Sequence, residues 1–158
     1  MTQRITKTRY LLGRQCSRRQ WLSYHGHPEP DVLAPRVKDL YLSAGREVEE
    51  LSAGLFPGIA HVHQRGVVGL GPDAHVGVEG TVAALETSPA VAQAHFAVGD
   101  LLAVSDIVEV REDGIFIWEV KSSLFREGKT PALHDWDLAF QVQVAKAAGY
   151  WVLGAGLI

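Results

Sequence analysis

The sequence predicts an α/β or α+β fold in which helices flank a central mixed β-sheet. Three observations lead to this prediction: helical periodicity in the first third, three consecutive apolar strands after residue 90, and a further helix and strand after them. Elements in this order pack as layers around one hydrophobic core. With 158 residues, 47% of them hydrophobic, the chain has the size and composition of one folded domain, and we assign residues 1–158 to it.

The first third of the chain predicts two helices. Apolar residues in 8–24 predict one continuous helix, which the Gly- and Pro-containing segment 25–30 ends. Residues 35–51 predict the second helix, since a proline suits its first turn and apolar residues then recur every three or four positions. The Gly-rich stretch 59–80 predicts short strands or loops, and 81–86 predicts a short helix.

The second half predicts a strand meander. Residues 90–98, 101–110 and 115–122 form three apolar runs of strand length. Residues 111–114 end in Asp-Gly, a strong hairpin signal, so the second and third strands are expected to pair as neighbours.

The last part of the chain predicts a helix followed by a strand. Residues 136–148 predict the helix, and Gly149 is suited to end it. Residues 150–153 predict the strand, and we expect Trp118 and Trp151 to lie in the core. The final residues, 154–158, have no capping or tail character, so we expect the domain to be truncated at its C-terminus.

Charge is unevenly distributed along the chain. The net charge is −3, yet residues 1–28 contain six basic and no acidic residues. Such a basic arm could hold phosphates near a carboxylate site, or it could be an ordinary solvated helix face. Charge alone favours the second interpretation. The basic residues of this arm are Arg4, Lys7, Arg9, Arg14, Arg18 and Arg19.

Cellular location is predicted from what the sequence contains. No apolar run reaches the roughly 18 to 20 residues of a membrane helix, and the basic start lacks the apolar region of a secretory signal. Cys16 is the single cysteine, which excludes an intrachain disulfide and fits a reducing compartment. We therefore expect a cytoplasmic protein without a membrane partner.

Two strands carry the residues with the clearest chemical potential. Side chains alternate along a strand, so Glu119 and Lys121 share one face, and the hairpin brings Asp106 beside Glu119. Two adjacent carboxylates repel each other unless a cation lies between them, and Mg²⁺ prefers such oxygen ligands. A neighbouring lysine can orient a water nucleophile. A surface ion pair is the alternative, and spacing alone supports the two interpretations about equally.

Several segments together resemble the RecB-like branch of the PD-(D/E)XK nuclease superfamily. The arrangement of Asp106 with Glu119-Val120-Lys121 looks like that of this superfamily, and the segment 119–123 (EVKSS) matches the central motif of this branch. Residues 45–51 (GREVEEL) are similar to its first-helix motif, and 137–141 (DLAFQ) to its later helix with a glutamine. The resemblance covers about residues 5–153 and extends to a bacterial family of longer proteins with a nuclease-like N-terminal part.

The resemblance implies a restriction-endonuclease-like core and a metal-dependent nuclease that cleaves nucleic acid, with DNA favoured. It implies that Lys121 positions the attacking water and that Gln141 orients Lys121 or the phosphate. The cofactor implied is Mg²⁺ or Mn²⁺. The metal ligands implied are Glu49, Asp106, Glu119 and the carbonyl group of Val120.

An iron–sulfur cluster is not expected in this chain. The segment 15–21 resembles an N-terminal cysteine segment of an iron–sulfur subgroup that includes the CRISPR-associated RecB-like exonucleases. A cluster needs four ligands, usually cysteines, and Cys16 is the only cysteine here. The other three lie beyond the nuclease core in that subgroup, so a longer protein could supply them.

Other interpretations stay open at this point. The pairs His25/His27 and His61/His63 could bind zinc, but their Gly- and Pro-containing surroundings favour surface histidines. For the whole chain, the alternatives are a non-catalytic nucleic-acid-binding module and an inactive N-terminal fragment of a longer iron–sulfur nuclease-like protein.

Overall fold

The computed structural model describes residues 4–27, 35–62, 73–122 and 132–158, and within them six strands form one mixed sheet with helices around it. The predicted fold class, a mixed sheet flanked by helices, is confirmed. The strands are β1 (Ile5–Thr6), β2 (Ala60–His61), β3 (Ala90–Val98), β4 (Leu101–Arg111), β5 (Gly114–Glu119) and β6 (Val152–Leu157). The helices are α1 (Lys7–Gln15), α2 (Ser17–Tyr24), α3 (Pro35–Ala53), α4 (Asp73–Thr87) and α5 (Ala132–Ala147).

The predicted meander forms the centre of the sheet. Strands β3, β4 and β5 are antiparallel neighbours, while β2 pairs parallel with β3 and β6 pairs parallel with β5. The Asp-Gly turn joins β4 to β5, and Gly114 adopts a φ of +154° there. A Cβ atom at Gly114 would lie 2.3 Å from the carbonyl oxygen of Trp151, so only glycine fits beside β6.

Strands β1 and β5 share the same edge of β4. Strand β3 occupies the other edge along almost the whole length of β4. Strand β1 pairs with the first two residues of β4, whereas β5 pairs with its second half, from Ile107 to Arg111. Since β1 runs parallel and β5 antiparallel to β4, their ends approach each other near Asp106.

The hydrophobic core lies between the sheet and α5. Apolar side chains of β3, β4 and β5 pack against α5, and α1 covers α5 through a stacked pair, Tyr10 and Phe140, with ring centroids 4.9 Å apart. Burial of these side chains is the main force that fixes α5 over the sheet. The core residues are Val91, Ala94, Phe96, Ala103, Val108, Ile115, Ile117, Phe140, Val144 and Ala145.

Two helix predictions were wrong. The predicted helix 8–24 is broken at Cys16, whose extended backbone ends α1 through a hydrogen bond from its N–H to the Leu12 carbonyl oxygen. Residues 73–80, predicted as strand or loop, belong to α4. A Cβ atom at Gly77 would lie 2.6 Å from the buried ring of His95 on β3, so glycine at this position lets α4 pack closely on β3.

The predicted strand ends also differ from the structure. Strand β5 ends at Glu119, three residues before the predicted end, because the chain there turns from β4 to follow β6. Strand β6 extends to Leu157, since residues 154–157 pair with β5. Trp118 is half-buried and Trp151 is 74% exposed, so both core predictions for these tryptophans were wrong.

Among the described helices, none has both the length and the apolar character needed to cross a bilayer.

Candidate active site

Glu119 is the centre of a buried polar cluster at the end of β5. Its side chain is 1% exposed and its oxygens accept hydrogen bonds from three groups. The Lys7 Nζ lies 3.0 and 3.2 Å from its two oxygens, the Gln141 Nε2 lies 2.6 Å from Oε2, and the Lys121 Nζ contacts Oε1. Burial by itself would raise the pKa of Glu119, but the charges of Lys7 and Lys121 outweigh it and lower the pKa to about 2.

Asp106 lies on β4 directly opposite Glu119, as the hairpin predicted. The β4–β5 register pairs Ile107 with Trp118, which brings Asp106 level with Glu119 on the same face. Its Oδ2 accepts a hydrogen bond of 2.9 Å from the backbone N–H of Val120. Burial, followed by the charge of Glu119, raises the pKa of Asp106 to about 6. Asp106 is therefore a carboxyl group whose ionisation its surroundings disfavour.

Helix α5 contributes two buried side chains that face Glu119. Asp137 and Gln141 are four residues apart, so they share one face of the helix. The Gln141 Nε2 bridges Asp137 Oδ1 at 2.9 Å and Glu119, while Asp137 Oδ2 lies 3.2 Å from the Lys121 Nζ. The Gln141 Oε1 is buried without a hydrogen-bond partner in the described part of the chain. The sequence predicts that Gln141 belongs to the site but gives no signal for Asp137.

Lys7 was also missed as a site residue. It is the first residue of α1 and follows β1, so the end-to-end approach of β1 and β5 carries its side chain to Glu119. Burial by itself would lower the pKa values of Lys7 and Lys121, but the neighbouring carboxyl groups, Glu119 foremost, together outweigh it and raise both pKa values. Both lysines thus stay protonated. The sequence signal was the excess of basic residues in 1–28, although it did not single out Lys7.

Glu49 is the predicted site residue on α3. It is half-buried, and its charge contributes to the raised pKa of Asp106, so the carboxyl group lies within electrostatic range of the cluster. Its role as a metal ligand stays a prediction, as does that of the Val120 carbonyl group.

The chemistry of the cluster fits a hard divalent cation. Three carboxyl groups, those of Asp106, Glu119 and Asp137, face two ammonium groups, and Glu49 adds a further negative charge nearby. Oxygen ligands of this kind suit Mg²⁺ or Mn²⁺. In the arrangement that the structure shows, however, no three His, Cys, Asp or Glu side chains of the described residues come together as a group that could hold a metal ion. The ammonium groups fill the space beside Glu119 instead.

A strained backbone lies next to the cluster. Gln93 has a φ of +56°, and the β3–β4 register sets it opposite Asp106, between the pairs Ala92–Ile107 and Ala94–Ser105. Residues other than glycine rarely adopt this backbone conformation. Residues that do adopt it concentrate at functional sites. The sequence offered no signal for it.

The other candidate groups lie outside the cluster. Cys16 is exposed, as are His25, His27 and His61, while His63 lies outside the described residues. Part of the basic arm is exposed on α1 and α2. The guanidinium of Arg14 stacks 3.7 Å above the partly exposed ring of Trp136, which precedes Asp137 on α5, and Arg18 and Arg19 are exposed on α2.

Comparisons with known proteins give no further assignment. The chain matches no protein-family model, no curated protein and no solved structure.

Proposed function

We propose that this chain is a metal-dependent nuclease of the PD-(D/E)XK type, RecB-like branch, which hydrolyses phosphodiester bonds in DNA. One observation carries the proposal: the half-buried Asp106 in the middle of β4 lies opposite the buried Glu119 at the end of β5, and the Lys121 ammonium group contacts Glu119. Such a cluster is costly to bury, and charged groups with displaced pKa values concentrate at functional sites.

The chain's own residues can be given distinct tasks. Asp106 and Glu119 would hold Mg²⁺ or Mn²⁺, with Glu49 and the Val120 carbonyl group as further ligands, and the bound ion would neutralise phosphate charge and acidify a water. The Lys121 ammonium group would orient that water. The Gln141 Nε2 holds the Glu119 carboxylate, and its unpartnered Oε1 is a hydrogen-bond acceptor for a water at the site.

Nucleic acid as the partner is supported by exposed basic and aromatic side chains on α1, α2 and α5. The exposed Arg18 and Arg19 can contact phosphates, while Arg14 and Trp136 offer a cationic and aromatic surface on which bases can stack. We propose a cytoplasmic location, because Cys16 is a free thiol that a reducing compartment preserves.

One observation favours a second candidate, a non-catalytic nucleic-acid-binding module. The ammonium groups of Lys7 and Lys121 already neutralise Glu119 in the absence of a metal ion. A site of this kind could bind phosphates without cleaving them. The two candidates differ in their need for metal, since binding by the module would persist in EDTA and depend strongly on salt.

Cleavage of labelled oligonucleotides tests the proposal. Single- and double-stranded DNA and RNA are incubated with the wild type, Glu119→Gln, Lys121→Met and the control Lys146→Met, in Mn²⁺ or in EDTA. We expect Mn²⁺-dependent cleavage that falls at least about 100-fold in Glu119→Gln and Lys121→Met, since each removes a charge that the reaction uses. Lys146 is exposed on α5, so its variant should retain activity.

Two results would count against the nuclease. Cleavage that persists in both folded site variants would show that the activity comes from elsewhere. Binding of DNA without cleavage by the wild type, unchanged by EDTA, would favour the binding module.

A further inference from the structure

Lys7 occupies a position in the site that the fold fixes. Strand β1 is held against β4 by its pairing with Leu101 and Leu102, and the Thr6 hydroxyl accepts a hydrogen bond from the Arg9 N–H to start α1. Helix α1 then packs on α5 through the Tyr10–Phe140 stack. Lys7 therefore extends from a well-anchored turn, and its approach to Glu119 is a property of the fold.

The ammonium group of Lys7 takes the position that a cation would take on Glu119. It contacts both carboxylate oxygens, at 3.0 and 3.2 Å, and lies 3.5 Å from Asp137 Oδ1. Its charge also acts on Asp106, the other carboxyl group proposed for the metal. An ammonium group and a divalent ion repel each other strongly at such distances, so both cannot use the same Glu119 oxygens.

Of the two lysines, Lys7 is the one expected to leave Glu119 when a cation binds there. Lys121 keeps a second partner at hydrogen-bond distance when Glu119 binds a cation, because Asp137 Oδ2 lies 3.2 Å from its Nζ. Among the described residues, Lys7 would keep only the longer 3.5 Å contact with Asp137. Its side chain is 25% exposed and has a flexible four-carbon stem, so its charge can reach an anion that enters from solvent.

We infer that Lys7 is a further substrate-binding residue, which neutralises Glu119 in the free protein and binds a phosphate oxygen of the nucleic acid when a divalent ion takes its place. This inference rests on the proposed function and deepens it. Lys7 thereby links the binding of the metal ion to the binding of the nucleic acid. The entering ion displaces Lys7 from Glu119, and a phosphate of the nucleic acid then replaces Glu119 as the anionic partner of Lys7. Metal and nucleic acid should therefore each promote binding of the other.

Two binding measurements on Lys7→Met test this inference. The methionine side chain keeps the length of the lysine without its charge, and Lys7→Gln is a second variant that keeps a hydrogen-bond donor. Calorimetry measures Mn²⁺ binding without nucleic acid. Fluorescence anisotropy measures binding of a labelled single-stranded DNA oligonucleotide in Ca²⁺. Circular dichroism checks the fold, and Lys146→Met controls for the loss of one positive charge.

We expect the two affinities to change in opposite directions. Without Lys7 as a competitor, Mn²⁺ should bind about tenfold more tightly, and without its phosphate contact, the oligonucleotide should bind about tenfold more weakly. Lys146→Met should change neither affinity by more than about twofold, since its side chain is exposed on α5. A merely structural lysine would instead weaken both when removed.

Three results would overturn the inference. Weaker Mn²⁺ binding by both folded Lys7 variants would give Lys7 a structural role, and equal Mn²⁺ binding by variants and wild type would exclude competition for Glu119. In both cases the proposed nuclease would stand. If neither the folded wild type nor any variant binds Mn²⁺, the metal site of the proposed function fails together with the inference.

Discussion

Replacement of Asp106 by asparagine should stabilise the metal-free protein at neutral pH. Asp106 is half-buried beside Glu119, and its pKa is raised from 3.8 to about 6 by burial and by the charge of Glu119. Asparagine has nearly the same shape, and its amide oxygen can still accept the hydrogen bond from the Val120 N–H. The substitution therefore removes an unfavourable charge with little change in packing.

The pH dependence follows from the direction of the pKa change. Because the folded protein binds a proton on Asp106 more tightly than the unfolded chain does, this group favours folding most below pH 4. Its contribution falls as the pH rises to about 6, and above that it stays constant. Each pKa unit corresponds to about 1.4 kcal/mol, so Asp106→Asn should be more stable than the wild type by about 2 to 3 kcal/mol at pH 7.5.

Urea unfolding between pH 4 and pH 8 measures this difference. In EDTA, the two proteins should have similar free energies of unfolding at pH 4, and the variant should be the more stable above pH 6. At a Mn²⁺ concentration about one hundred times the dissociation constant, the wild type should gain about 2.7 kcal/mol and lose this disadvantage. The variant should gain little, since it lacks a metal-binding carboxylate.

The control is Asp39→Asn, which changes an exposed aspartate on α3 and should leave the unfolding free energy within about 0.5 kcal/mol of the wild type. The reasoning is refuted if Asp106→Asn is less stable than the wild type at pH 7.5 in EDTA. It also fails if the difference between the two proteins does not change between pH 4 and pH 7.

Two further predictions concern the support of the site, and both are measured by urea unfolding. Gln141→Leu should lower the free energy of unfolding by about 1 to 3 kcal/mol, because Glu119 and Asp137 lose a buried hydrogen-bond donor. The control Gln143→Leu, on an exposed position of the same helix, should have little effect. Equal losses in the two variants would contradict the supporting role of Gln141. Gly114→Ala should lower the free energy of unfolding by about 1 to 3 kcal/mol, because its Cβ atom would collide with the Trp151 carbonyl oxygen. The control Gly45→Ala should not lower it, since the space around Gly45 in α3 is open.

Much of the sheet was predictable because its centre is local in sequence. Strands β3, β4 and β5 follow one another through short turns, so apolar runs and an Asp-Gly signal were sufficient to identify them. The same local logic predicted that Glu119 and Lys121 share a face and that Asp106 lies opposite Glu119. Their metal-binding and catalytic roles stay predictions, since no measurement of binding or cleavage bears on them.

Elements stabilised mainly by packing were harder to predict. Residues 73–80 contain two glycines and read as loop, yet they are helical because Gly77 permits α4 to lie close to His95 on β3. The break between α1 and α2 at Cys16 also escaped prediction, since the residues on both sides of it favour helix. Helical periodicity reports a preference for helix but not where tertiary contacts end one.

The sequence by itself determined the order of the strands in the meander and the position of Asp106 beside Glu119, because these depend on strand periodicity and one hairpin. It also predicted Lys121 beside Glu119, although Lys121 follows the end of β5. Only the tertiary structure decided that Lys7, 112 positions before Glu119, neutralises it and that Asp137 joins the cluster. The physical reason is that periodicity specifies which face a side chain occupies, whereas the packing of α1 and α5 on the sheet decides which faces meet.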